Sequence, residues 1–183
     1  MDRKEALDSV RANVENENLV KHMLATEAIM QALARRLGED EEEWALTGLL
    51  HDIDVELTDG DMSSHSKLGA DLVREMGADE AMAHAILSHN EMHGIPRETK
   101  LDKALFCADP LTGLITAAAL VRPDKKLAGV EAKSVRKRFK EKGFAAGANR
   151  EHIALCNELG LELDEFIELG LKAMKGIASG LGL

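Results

Sequence analysis

Apolar residues recur at spacings of three and four along most of the chain. Leu19, Met23, Met30, Leu33 and Leu37, with Thr26 filling the series, form one stripe between residues 18 and 37, and Gly38 supplies a stop. The spacing therefore predicts one long helix. Asp40 and Glu41 to Glu43 place acidic side chains in the first turn of a second helix, where the helix dipole favours them. Trp44 to Leu50 carry its apolar face, and it ends near His51-Asp52. Residues 54–64 lose the period and collect Gly, Ser and Asp, which predicts a loop. His65, Leu68, Gly69, Leu72, Val73 and Met76 then follow the helical template up to Gly77. Further helices are expected at about 79–91, 98–108, 110–121, 131–142, 149–159 and 163–178. The breaks fall at Gly94-Ile95-Pro96, Arg122-Pro123-Asp124, Gly143 and Gly160.

No alternating run of β-branched residues competes with this pattern, and no internal repeat or linker is visible. With 45% hydrophobic and 31% charged residues and only three prolines, the 183-residue chain reads as one globular domain over 1–183. Aromatics make up 3%, so Leu, Ala, Ile, Met and Val must fill the core. That choice favours an all-α fold, a compact multi-helix bundle. The net charge of −10 and the scarcity of aromatics argue against a nucleic acid polymer or an anionic membrane as partner. Residues 122–142 depart from the acidic balance with nine Lys/Arg against three Asp/Glu, most simply a solvated basic face. Cys107 and Cys156 are too few for a disulfide framework or a thiolate metal site. The N-terminus is charged and lacks an apolar core, and no run approaches the roughly 18 apolar residues of a membrane span. A reducing, cytoplasmic setting is expected.

Candidate chemistry lies in His22, the pair His51-Asp52, His65, His89 and Asp109, on different predicted helices or helix ends. His22 stands beside the stripe of its helix, His65 opens the face continued by Leu68, and His89 shares a face with Met82 and Ile86. These three should point inward; His84, about 140° from His89, should not. Any one histidine taken alone reads as an ordinary core or surface residue, and Asp109 before Pro110 reads equally as an N-cap with proline at the first helical position. Several inward imidazoles and two acids together are costly to bury unless something neutralises them. A divalent ion with nitrogen and oxygen ligands does so: iron, manganese, zinc, nickel or cobalt.

The order H…HD…D, carried by His22, His51-Asp52 and Asp109, resembles the HD superfamily of metal-dependent phosphohydrolases, with LTGLLHDID, HSKLGADLV, AILSHNE and KALFCADPLTGL as its local text. The resemblance covers roughly residues 18–120, leaving a basic C-terminal helical part at about 121–183. It implies one metal site formed by His22, His51, Asp52 and Asp109. It also implies a second ion held by His65 and His89, with Asp52 bridging and essential to catalysis. Two such ions, roughly 3.5–4 Å apart, polarise a phosphoryl oxygen and activate water.

Two departures qualify the match. Many members read HDIGK where this chain reads His51-Asp52-Ile53-Asp54-Val55, so a phosphate-holding lysine is missing. HNEMHGIP only partly matches the cyclic-dinucleotide branch, having Asn90 in place of a second histidine and Gly94-Ile95-Pro96 in place of Gly-Tyr-Pro. Asp54 reads either as a further acid at the metal site or as an exposed loop residue. Arg122, with Lys125 and Lys126, is a candidate replacement for the missing lysine. The expected activity is hydrolysis of a nucleotide or another small phosphorylated metabolite; the alternatives are a di-iron oxygenase of HD type and a non-catalytic, metal-stabilised sensing or oligomerisation domain.

Overall fold

A computed structural model describes residues 1–183: ten α-helices, three short 3-10 helices and no strand. Helix α1 (Arg3–Asn13) begins with a capping box in which the Asp2 carboxylate accepts from the Glu5 N–H and the Glu5 carboxylate accepts from the Asp2 N–H, both at 2.8 Å. Helix α2 (Glu17–Leu37) ends at Gly38 with φ +74°, and α3 (Glu41–Leu50) starts where Asp40 accepts from the N–H groups of Glu42 and Glu43. Then come α4 (Lys67–Glu75), α5 (Glu80–His89), α6 (Lys100–Leu120), α7 (Ala132–Phe139), α8 (Arg150–Ala154), α9 (Leu163–Gly176) and α10 (Ala178–Leu181).

One continuous core of 44 buried residues runs through the bundle, and α2 lies against α3, α6 and α9. The α2–α3 approach depends on Gly48. A Cβ there would stand 2.9 Å from the backbone of Thr26 and Glu27, closer than real side chains pack. Since α2 and α3 carry His22 and His51, this glycine also sets how near those imidazoles lie. Gly48→Ala is expected to lower stability by about 1–3 kcal/mol through overpacking. A denaturant titration checks it, and an unchanged midpoint would show that the helices part without cost.

The expected break between 108 and 110 is absent: α6 runs unbroken through Pro110. Proline removes one ladder hydrogen bond, but Leu101, Leu105, Leu111, Leu114 and Ile115 are all buried and hold both halves in line. Asp109 is therefore a mid-helix residue and not an N-cap. By length and composition α6 is also apolar enough to span a bilayer, contrary to the expectation that no run approaches that size; more than half of it is buried inside the bundle, the position of a core helix. The 149–159 helix divides into α8 and a 3-10 turn over Leu155–Leu159.

Candidate metal centre

Five segments deliver side chains to one point. His22 comes from the second turn of α2, His51 caps α3, Asp52 follows it in a turn, His65 precedes α4, His89 is the last residue of α5, and Asp109 projects from the middle of α6. His22 Nε2 lies 3.1 Å from Asp109 Oδ1, 3.2 Å from His51 Nε2 and 3.7 Å from Asp52 Oδ2. His51 Nε2 is 3.4 Å from the same Asp52 oxygen. The other oxygen, Oδ1, faces His89 Nε2 at 3.4 Å and His65 Nε2 at 3.5 Å. Asp52 thus presents one oxygen to each of two histidine pairs. Its neighbours form two sets of donors within metal-binding reach of one another: His22, His51 and Asp109, and His51, Asp52 and His89.

The outer nitrogens show why all four Nε2 atoms are free to face inward. His51 Nδ1 donates to the Gly48 carbonyl at 2.8 Å and His89 Nδ1 to the Ile86 carbonyl at 2.5 Å. Thr112 Oγ1 donates to the Asp109 carbonyl at 2.7 Å and so accepts from His22 Nδ1 at 2.8 Å. His65 Nδ1 donates to Asp54 Oδ1 at 2.8 Å. When neutral, each imidazole is held in the tautomer whose Nε2 carries a lone pair, the outer arrangement of metal-ligating histidines.

Electrostatics fits the same reading. Burial keeps His51 from charging and lowers its pKa, so its Nε2 lone pair faces the Asp52 carboxylate with no proton between them. Burial alone would raise the pKa of Asp52, yet the three imidazoles of His51, His89 and His22 hold it well below the usual carboxylate range. Asp109 is likewise lowered against its burial, chiefly by the hydrogen bond from His22. For His22 burial opposes protonation, but Asp109 and Asp52 outweigh it and raise the pKa to about 8. Asp52 raises the pKa of His89 against its burial as well. The two carboxylates thus draw onto the imidazoles protons that a divalent cation, with the same positive charge to offer, would displace. The donor set fits such an ion.

Asp54 is fully buried, which corrects its reading as an exposed loop residue. Besides His65 Nδ1, its carboxylate accepts from the backbone N–H of Ser66 at 2.7 Å and of Gly69 at 2.8 Å. A Cβ on Gly69 would press against it at 3.2 Å. These bonds also hold Ser66 at φ +72°, a left-handed conformation that a side chain disfavours. The amide of Asn90 donates to the carbonyls of Met62 and His65, so this residue anchors the His65 loop. Sequence reasoning missed the outer roles of Asp54, Asn90 and Thr112; the only available signals were short offsets from the candidate ligands.

His84, His93 and His152 stay outside the cluster, bonded or paired to Asp102, the His65 carbonyl and Glu91 respectively. Arg122 stays outside too, and its expected role as a phosphate contact is corrected. Thirteen residues beyond Asp109 on or just past one helix, it stands roughly 20 Å along the axis. Its guanidinium is engaged by Asp124 at 3.0 and 3.2 Å. Other cations of the basic stretch are similarly paired, Lys133 with Glu131, Arg136 with Asp164 and Arg138 with Glu141.

The family profile described as HD domain matches residues 19–114, the segment that supplies every member of the cluster. The chain belongs to the HD-domain family. HD domains bind divalent metal ions, and the donor groups around Asp52 are those that could hold one here. Among curated relatives, Ribonuclease Y of Sulfurovum sp. (strain NBC37-1) is 28% identical over 88% of this chain and 32% of its own length. Ribonuclease Y of Lawsonia intracellularis is 32% identical over 57% of this chain and 20% of its own. An uncharacterized protein of Methanocaldococcus jannaschii is 31% identical over 82% of this chain and 92% of its own. The HD-domain chain spans about a third or less of the two Ribonuclease Y relatives. No solved structure gives a significant match.

Proposed function

We propose that the chain is a metal-dependent phosphohydrolase or phosphodiesterase acting on a nucleotide or another small phosphorylated metabolite. The observation that carries this reading is the two-faced Asp52, with His22, His51 and Asp109 on one side and His65 and His89 on the other. His22, His51, Asp52 and Asp109 would hold one divalent ion, and Asp52, His65 and His89 a second. When bound, such ions polarise a phosphoryl oxygen and make water acidic enough to attack it near neutral pH.

The chain's own residues set orientation and access. Gly48, Ile86, Thr112 and Asp54 fix the imidazole tautomers through their Nδ1 contacts. His51, His65 and His89 form the closed floor, while the side chains of Asp109 and His22 are 34% and 24% exposed. Substrate therefore approaches over the Asp109–His22 edge.

The likeness to Ribonuclease Y favours a second reading, hydrolysis of an RNA phosphodiester. The net charge of −10 and the pairing of Arg122, Lys133, Arg136 and Arg138 with acids favour the small substrate. The test is a screen of phosphomonoesters, phosphodiesters, dinucleoside polyphosphates and short oligoribonucleotides with Mn²⁺, Fe²⁺, Co²⁺, Ni²⁺ or Zn²⁺. Turnover of a small ester, abolished by a chelator and restored by metal, is expected. Preference for oligoribonucleotides would move the assignment to the second reading, and no turnover with any metal would overturn both.

A further inference from the structure

The family profile ends at residue 114, yet α8, well beyond it, touches two of the segments that carry the candidate ligands. Its start is fixed by Arg150, which donates to the carbonyls of Ala145 and Ala148, both at 2.6 Å, and by the Asn149 side chain, which accepts from the N–H groups of Glu151 and His152. The buried Ile153 anchors it in the core. From this base the His152 ring lies on Phe106, with ring centres 4.1 Å apart, and His152 Nε2 donates to Glu91 Oε2 at 3.1 Å. Each contact leads to a ligand. Phe106 precedes Asp109 by three residues of α6 and shares its face. Glu91 follows His89 by two residues and opens the short 3-10 turn Glu91–His93. That turn and the Asn90 before it hold the His65 loop: His93 Nε2 donates to the His65 carbonyl at 2.6 Å, and the Asn90 amide donates to the same carbonyl at 3.2 Å. A second tie runs beside the first. The Arg97 guanidinium stacks 3.7 Å over the Phe106 ring and donates at 3.4 Å to the carbonyl of Ser88, the residue before His89.

We propose that His152 is a positioning residue for the metal centre: it clamps the turn after His89 to the Asp109 face of α6 and so keeps His65 and His89 against Asp52. The residue lies outside the HD-domain match but serves the half of the site whose Nε2 atoms stand 3.5 and 3.4 Å from Asp52 Oδ1. His22 and His51 do not depend on it, because the close approach at Gly48 holds α2 and α3 to each other. Loss of the clamp therefore loosens one side only. The effect is modest, since the Glu91 side chain is 65% exposed and such ion pairs contribute little, to which the ring contact adds. The proposal rests on the hydrolase reading for what two ions would do there, but it concerns the placement of His65 and His89 and is tested without turnover.

Hydrogen exchange of the metal-free protein, followed by Mn²⁺ titration read by electron paramagnetic resonance, provides the test. His152→Ala is expected to speed amide exchange over residues 62–66 and 90–94 about fivefold, the upper end for an exposed pair, and to leave α2 around His22 within about twofold. It should weaken the second Mn²⁺ about fivefold and the first less than about twofold, so that the signal of a lone ion persists to higher Mn²⁺ before that of a coupled pair replaces it. His152→Gln, whose amide can still donate to Glu91, should recover most of the difference. Glu91→Ala combined with His152→Ala should be no worse than His152→Ala, the mark of two residues acting together. Wild-type exchange in both segments, or two ions bound with wild-type affinity in His152→Ala, would overturn the clamp. So would equally faster exchange along the whole chain, which would leave His152 a role in general stability alone. If wild type takes up a single Mn²⁺, the two-ion reading falls and the exchange pattern alone decides the clamp.

Discussion

Asp52→Ala is expected to lower kcat/KM by about 10³-fold or more for every phosphate ester that the wild-type chain cleaves. Residues acting as one unit lose most of their joint effect when any single member is removed. Asp52 is the member common to both donor sets: its Oδ2 faces His22 and His51, and its Oδ1 faces His65 and His89. Alanine removes both oxygens at once, so metal content should fall together with turnover. Asn is the informative companion, because its single carbonyl oxygen can serve one side only, leaving an amide N–H₂ against the other pair of lone pairs. Steady-state kinetics with metal analysis on both variants checks this, with circular dichroism to verify the helical fold. Wild-type turnover by Asp52→Ala would remove the cluster from the chemistry.

The second large effect is expected at Asp54, which touches no inward-facing nitrogen. Asp54→Asn should lower affinity at the His65–His89 position about 10- to 100-fold, the usual range for an outer partner of a metal-ligating histidine. It should leave the His22–His51–Asp109 side occupied. The carboxylate accepts three N–H groups, from His65, Ser66 and Gly69, and an amide cannot accept all three without turning a donor toward one of them. A buried donor left unpaired costs about 1–3 kcal/mol, so stability should fall as well. Asp54→Glu, which keeps the charge but displaces it, should recover part of the affinity only if the carboxylate reaches His65. Metal titration and thermal unfolding separate the two consequences. Two ions bound with wild-type affinity in Asp54→Asn would show that His65 is positioned by other contacts.

The all-α class and most helices were legible because their information is local. The stripe through Met23, Met30 and Leu33 on α2 and the acidic cap of α3 require no knowledge of neighbours. Inward directions for His22 and His89 followed from helical phase. His65 lies ahead of α4, cut off from it by the left-handed Ser66, and is turned inward by Asp54, while Leu68, expected to continue its buried face, is exposed. What was not legible depends on tertiary burial. Asp109-Pro110 carries the local signature of a helix start, and only the packing of both flanks of α6 overrides it. Asp54 sits in an acidic, Ser-rich and Gly-containing stretch that has the composition of a solvated loop; its burial comes from α4 folding back so that Ser66 and Gly69 present their N–H groups to it. Arg122 was misplaced for the converse reason, since an unbroken α6 carries it away from Asp109.

The central claim is that Asp52 bridges two metal positions. The most direct measurement is anomalous diffraction from crystals of the anaerobically purified, Mn²⁺- or Fe²⁺-loaded protein. The account predicts two peaks, one on each side of the Asp52 carboxylate, the first bounded by His22, His51 and Asp109 and the second by His65 and His89. A single peak with His65 and His89 turned away from it, or ions bound only outside this cluster, would contradict it.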